Sequence, residues 1–209
     1  MKKLVIGRKT FVWAVVLLLG LSFPASTLGS SFNEAPMLAD LVKVGELPEV
    51  SKRVPSEPLV VEPVREIGQY GGTWRSAYPH DWLGYSLNGF VYDPILRWSR
   101  DFSSVEPNIA KDYELSEDGM LLTLHLREGM KWSDGHPFTA DDILFWYEGM
   151  VQNTEVSPVP PAWLVVDGQL TKVTKVDDYT VTMEFSRSYS LVLQHLASAW
   201  SGVIFAPKH

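Results

Sequence analysis

Asp141 and Asp142 stand side by side, and paired carboxylates are the first place to look for acid–base chemistry. Neighbours on a helix project roughly 100° apart, so they cannot face each other and share a proton. Their surroundings read instead as the start of a helix. Thr139 takes the N-cap position, and the two carboxylates fall in the first turn, where they favour the positive end of the helix dipole. The five histidines, His80, His125, His136, His195 and His209, follow no metal-ligand spacing, and the chain has no cysteine. There is no G-x-S-x-G elbow, no Walker loop and no G-x-G-x-x-G turn; Gly71-Gly72 reads as a tight turn or a close backbone approach. The visible residues therefore give catalysis no foothold and call for no metal and no cofactor. What stands out is a surplus of flat rings. Beyond residue 30 there are Trp74, Trp82, Trp98, Trp132, Trp146, Trp163 and Trp200, which suit a cleft that stacks on organic ligands.

The elements that must position these rings are legible in the patterning. Leu122, Leu124 and Leu126 alternate with Thr123, His125 and Arg127, and Val181, Met183 and Phe185 alternate with Thr180, Thr182 and Glu184. Both runs read as strands with one buried face, and His125 points outward. Asp177-Asp178 turns the second strand back on a partner over about Leu170 to Val176, and Glu117-Asp118-Gly119 and Ser133-Asp134-Gly135 place reversals around the first. Further strands are expected over Gly72 to Ala77 and within Tyr92 to Trp98. Ile143, Trp146, Tyr147 and Met150 recur at i, i+3, i+4 and i+7 and mark the core face of the helix that Thr139 caps. Pro158, Pro160 and Pro161 forbid its continuation. Another helix is expected over Leu191 to Ala199. Irregular alternation of strands and helices gives an α/β or α+β class with a mixed sheet.

Three regions follow along the chain. Residues 1–29 carry Lys2, Lys3, Arg8 and Lys9, an apolar run from Phe11 to Leu21, and then small and turn-forming residues, the layout of a secretory signal peptide cleaved near Ala25 to Ser30. The apolar run is shorter than the roughly 20 residues that span a bilayer. Residues 30–66 read as a short helix, with Met37, Leu38, Leu41 and Val42 on one face, and then a proline-rich strap pinned by Leu59, Val60, Val61 and Val64. Residues 67–209 form the remaining domain. Loss of the four leader cations takes the balance from 18 basic against 25 acidic residues to a net charge of −11. Such a surface repels nucleic acid and anionic lipid.

The stretch Leu124 to Tyr147, LHLREGMKWSDGHPFTADDILFWY, resembles the signature of the family 5 extracellular solute-binding proteins, the peptide and nickel type. Further matches are Gly71-Gly72-Thr73, Tyr92-Asp93-Pro94-Ile95-Leu96, Pro107-Asn108-Ile109-Ala110, Ser116-Glu117-Asp118-Gly119, Val176-Asp177-Asp178-Tyr179-Thr180-Val181 and Ala206-Pro207-Lys208-His209. The resemblance implies a two-lobed, class II periplasmic-binding-protein-like fold that closes on its ligand by hinge motion. On that pattern the 209 residues hold the first lobe only, and the second lobe is missing.

The resemblance also implies a function: a periplasmic or extracellular subunit of an ABC importer that captures a peptide or oligosaccharide-like solute and delivers it to permease subunits in the membrane. It further implies that the loop after the first strand faces the cleft. That loop is dense in rings and hydrogen-bonding groups, so Tyr78, Trp82, Tyr85 and Asn88 are the expected ligand contacts, with Trp200 a further candidate. The alternative is that Trp82 and Tyr85 fill the core of the lobe. Two other functions compete: a secreted carbohydrate-recognition module without a transporter, and a secreted hydrolase whose catalytic groups lie in a missing C-terminal part.

Overall fold

The computed structural model describes residues 32–73, 75 and 92–209. The signal peptide expected over 1–29, residues 74, 76 and 77 of the strand expected over Gly72 to Ala77, and the ring-rich loop from Tyr78 to Asn88 lie outside the described residues; Gly72, Thr73 and Arg75 are described and belong to no strand.

A short helix, α1, spans Pro36–Lys43, with proline in its first turn, where the missing N–H costs nothing. No residue of α1 is fully buried, and Met37 is exposed. Two short strands, β1 (Leu96–Trp98) and β2 (Val105–Pro107), pair antiparallel. Ser99, Asp101 and Ser103 close the loop between them: the Asp101 carboxylate accepts the Ser99 hydroxyl at 2.8 Å and the Ser103 hydroxyl at 2.7 Å.

The centre of the domain is a four-stranded antiparallel sheet of β3 (Ala110–Leu115), β4 (Leu121–Leu126), β7 (Lys172–Asp177) and β8 (Thr180–Glu184), in the order β3-β4-β8-β7. Between its two halves a small hairpin pairs β5 (Val165–Val166) with β6 (Gln169–Leu170). Asp167 and Gly168, both at positive φ, make its two-residue turn, the geometry that matches strand twist. Every pairing among the described strands is antiparallel, so the chain takes the α+β side of its expected class.

The period-two reading of β4 and β8 holds. Leu122, Leu124, Leu126 and Met183 are wholly buried, and Val181 and Phe185 nearly so. Each such side chain contributes about 1.5–3 kcal/mol by leaving water. The turns predicted around β4 also form. Gly119 and Gly135 sit at positive φ, the Asp118 carboxylate accepts the Met120 N–H, and the Asp134 carboxylate accepts the His136 N–H. Arg127 departs from the alternation: the strand ends at Leu126, and the guanidinium turns inward beneath the strap, leaving the residue 8% exposed.

Helix α2 covers Ala140–Phe145 behind the expected Thr139 cap, and a π-helical turn carries it on through Trp146–Val151. The Asp142 carboxylate accepts the Thr139 N–H at 2.9 Å, completing a capping box. The stripe expected on this helix needs correction. Ile143, Tyr147 and Val151 are buried, whereas Trp146 is only half-buried and Met150 is exposed. Ile143 and Tyr147 keep the expected face and Trp146 packs on the core partly buried, while Val151 takes the place expected of Met150, where the turn closes on the fifth residue rather than the fourth. The buried Tyr147 hydroxyl donates to the Thr171 carbonyl at 2.7 Å.

The strap after α1 is corrected in the same way. Val60, Val61 and Val64 are exposed, and polar contacts hold the segment instead. Ser56 N–H donates to the Glu128 carbonyl at 3.0 Å, Arg127 Nη1 to the Glu57 carbonyl at 2.7 Å, and Lys131 Nζ to the Lys52 carbonyl at 2.8 Å. Proline leaves an extended chain with few N–H groups and many free carbonyls, which cationic side chains satisfy. The last helix, α3, spans Val192–Leu196 and is shorter than the Leu191 to Ala199 expected. No helix of the described residues is long and apolar enough to cross a membrane.

Candidate functional site

Trp200 lies in the turn that follows α3 and is 59% exposed, although most large rings of the domain pack on its core. Its position is set by backbone. The Ser198 carbonyl accepts the Gly202 N–H at 2.8 Å, and the His195 carbonyl accepts the Ser201 hydroxyl at 2.7 Å, folding residues 195–202 into consecutive tight turns. Gly202 in turn lies against the start of β1: its carbonyl accepts the Ile95 N–H at 2.7 Å. A side chain at Gly202 would place its Cβ 2.5 Å from Pro94 Cβ and 2.3 Å from the Leu196 carbonyl oxygen. The contact exists because residue 202 is glycine.

On the β1 side, Asn108 fixes the approach. Its amide donates to the Asp93 carboxylate at 2.6 Å and to the Pro94 carbonyl at 2.7 Å. With Pro94 and Gly202 in contact, Tyr92 meets Trp200, with ring centroids 5.7 Å apart and planes tilted by 36°. Tyr92 is also open, at 42% exposure. Two accessible rings thus share one surface, and one of them, Tyr92, follows closely on the ring-rich segment in sequence. Such faces take up apolar and C–H-rich surfaces, while the indole N–H and phenol O–H donate at their edges.

Trp200 is therefore the one expected contact residue that the described structure places, and it is solvent-facing; Tyr78, Trp82, Tyr85 and Asn88 lie outside the described residues. Tyr92 is the partner that sequence reasoning missed. Its only advance signal was its place just before Asp93-Pro94, and nothing in local periodicity links it to residue 200.

A second ring cluster lies behind α3. Trp163 and His195 stack at 5.5 Å and 20°, with Tyr189 tilted against the imidazole at 6.2 Å. Burial pushes the His195 imidazole below its usual range and the Tyr189 phenol above its own. This stack is half-buried and packs on the core, so its part is structural.

The two adjacent carboxylates of α2 serve separate partners. Asp142 is buried and accepts two backbone N–H groups, from Thr139 and from Lys208, the latter at 3.1 Å. Asp141 pairs with Lys175 at 3.1 Å and Lys208 at 3.4 Å, and the Lys175 hydrogen bond is the main reason its carboxyl lies below the usual range. Neither is placed as an acid–base pair. Among the described residues no group of three histidine or carboxylate side chains is arranged to hold a metal.

Comparison with known proteins agrees with this architecture. A periplasmic alpha-galactoside-binding protein of Rhizobium meliloti (strain 1021) is 35% identical over 189 residues, covering 80% of this chain and 27% of that protein. A solved oligopeptide-binding protein OppA superposes with a TM-score of 0.75 at 41% identity, covering 86% of this chain and 28% of the other. The periplasmic binding protein MelB of Agrobacterium fabrum C58, solved in complex with stachyose, gives a TM-score of 0.67 at 30% identity, covering 86% and 30%. The chain thus spans less than a third of the length of these relatives. Residues 104–208, half of the chain, match the family described as "Bacterial extracellular solute-binding proteins, family 5 Middle", and the chain belongs to that family.

Proposed function

We propose that this chain is part of the substrate-binding subunit of an ABC importer, exported by the leader in residues 1–29, which captures a solute outside the cytoplasm and delivers it to permease subunits. The observation that carries the proposal is membership of the solute-binding family over residues 104–208. The open Tyr92–Trp200 pair supplies a surface suited to that work; Tyr78, Trp82, Tyr85 and Asn88 are proposed on sequence grounds as further contacts to the solute.

The solute class is a peptide or an oligosaccharide, and an oligosaccharide is the better fit. A relative aligned over most of the chain is named for alpha-galactosides, and another was solved with stachyose. Flat rings stack on the C–H faces of sugars while their polar edges stay hydrated. A peptide remains the competing class through the oligopeptide-binding relative.

Mass spectrometry of small molecules released on denaturing the full chain, purified from its native host, tests this. An unmodified oligosaccharide at near one equivalent is the expected result. A peptide at that stoichiometry would move the solute class. Catalytic turnover of an added oligosaccharide or peptide would contradict the binding reading.

A further inference from the structure

We infer that the cleft between the N-terminal strap and β1 is a binding site for a compact oxyanion, a phosphate or polycarboxylate, recognised by Arg97, Arg127 and Lys131. The inference goes beyond solute capture at the Tyr92–Trp200 surface and does not depend on it.

The chain carries a net charge of −7, yet this cleft is basic. It encloses a cavity of about 500 Å³ walled by Pro55, Pro58 and Leu59 of the strap, and by Arg53, Arg97, Arg127 and Lys131 against a single carboxylate, Asp93. That carboxylate accepts the Asn108 amide. Arg53 is matched by Glu34, and Arg97 by Glu106 at 3.0 Å. Arg127 and Lys131 have no carboxylate partner among the described residues. The partners of Arg127 are the carbonyls of Asn108 and Glu57, and Lys131 donates to the carbonyl of Lys52. Carbonyl dipoles satisfy donors but do not neutralise a buried charge, and a guanidinium cannot shed its proton.

Two buried donors point the same way. Arg97 Nε is buried without an acceptor, and so is Trp132 Nε1. Trp132 lines an adjoining cavity of about 370 Å³, which shares Arg53 and Lys131 with the first. Natural interiors leave few donors unpaired, and both of these belong to residues that line the two cavities. Burial pulls the Arg127 guanidinium below its ordinary range; the Glu57 carboxylate opposes that shift and the Arg97 charge adds to it. Planar guanidinium groups present paired N–H donors that match two oxygens of one phosphate or carboxylate.

Calorimetric titration of the full chain with inorganic phosphate, and separately with citrate, at low ionic strength tests the site. The expected result is one equivalent of at least one anion bound with a dissociation constant on the order of 0.1 mM, a modest affinity of a few charge-assisted contacts. That binding should weaken at least about tenfold, the loss of roughly one strong contact, in both Arg97→Gln and Lys131→Gln. Lys172→Gln, an exposed residue of β7, should leave it unchanged. Binding of phosphate alone assigns a phosphate site, and binding of citrate alone a polycarboxylate site. Lys131 is exposed, and Lys131→Gln, with its melting temperature checked because Lys131 also holds the Lys52 carbonyl, keeps the test valid even where Arg97→Gln disturbs folding. Absence of binding by both anions, or binding that survives in Lys131→Gln, would overturn the inference.

Discussion

Ile95 donates its backbone N–H to the carbonyl of Gly202 at 2.7 Å, and this one bond ties the start of β1 to the turn after α3. Everything at the ring surface follows from it. The bond needs Gly202 pressed on Pro94, and that contact brings Tyr92 beside Trp200.

Gly202→Ala should accordingly destabilise the protein. Its Cβ would meet a backbone carbonyl oxygen at 2.3 Å, which the chain can relieve only by moving one turn away from the other. Forced overpacking of this kind costs about 1–3 kcal/mol. A denaturant melt should show that loss, and tryptophan fluorescence should report a changed environment at Trp200; a melt unchanged from wild type would contradict the assigned contact.

Helix α2 offers a second test. Thr139→Ala removes the cap and should cost about 0.5–2 kcal/mol. Tyr147→Ala should cost about 3–5 kcal/mol, the range for a buried ring, and more than Trp146→Ala, because Tyr147 is buried and Trp146 only half-buried. Urea melts of the three variants rank them directly, and a larger loss at Trp146 would restore the regular helical register over the π turn.

The end of the α2 stripe shows where sequence stops being informative. Leu122, Leu124 and Leu126, and Val181, Met183 and Phe185, were readable because a strand with one buried face imposes a period of two. The Asp-Gly turns were readable because positive φ favours glycine and the Asp side chain bonds the backbone two residues on. A π turn leaves no mark in a hydrophobic stripe, so Met150 looked like the core position that Val151 holds. Val60, Val61 and Val64 misled for a related reason: in an extended, proline-rich strap, apolar type does not report burial, and the pinning came from Arg127 and Lys131. Trp200 was picked out by type alone. Its meeting with Tyr92 depends on a long-range backbone contact that no local pattern encodes.

His195 gives the fold a pH dependence on the acid side of neutrality. Burial depresses its folded-state pKa below the ordinary 6.5, so the folded state favours the neutral ring. The stability tied to that neutral ring is present above 6.5 and is lost as pH falls through the depressed folded value. Melting temperature should therefore fall between about pH 7 and pH 5, and His195→Gln, which cannot charge, should flatten that part of the profile. An identical slope in wild type and variant would show that other groups carry it.

The most direct test of the central claim, that this is a solute-binding chain whose open rings meet the solute, is calorimetric titration of the full chain with stachyose and, separately, with a tetrapeptide. Wild type is predicted to bind one of them at one equivalent without altering it. Trp200→Ala and Tyr92→Ala should each weaken that binding about tenfold, roughly 1.4 kcal/mol, with unchanged melting temperature. Saturable binding that is equally tight in wild type and in both variants would remove the Tyr92–Trp200 pair from the site, and failure of both solutes to bind would contradict the proposed solute classes.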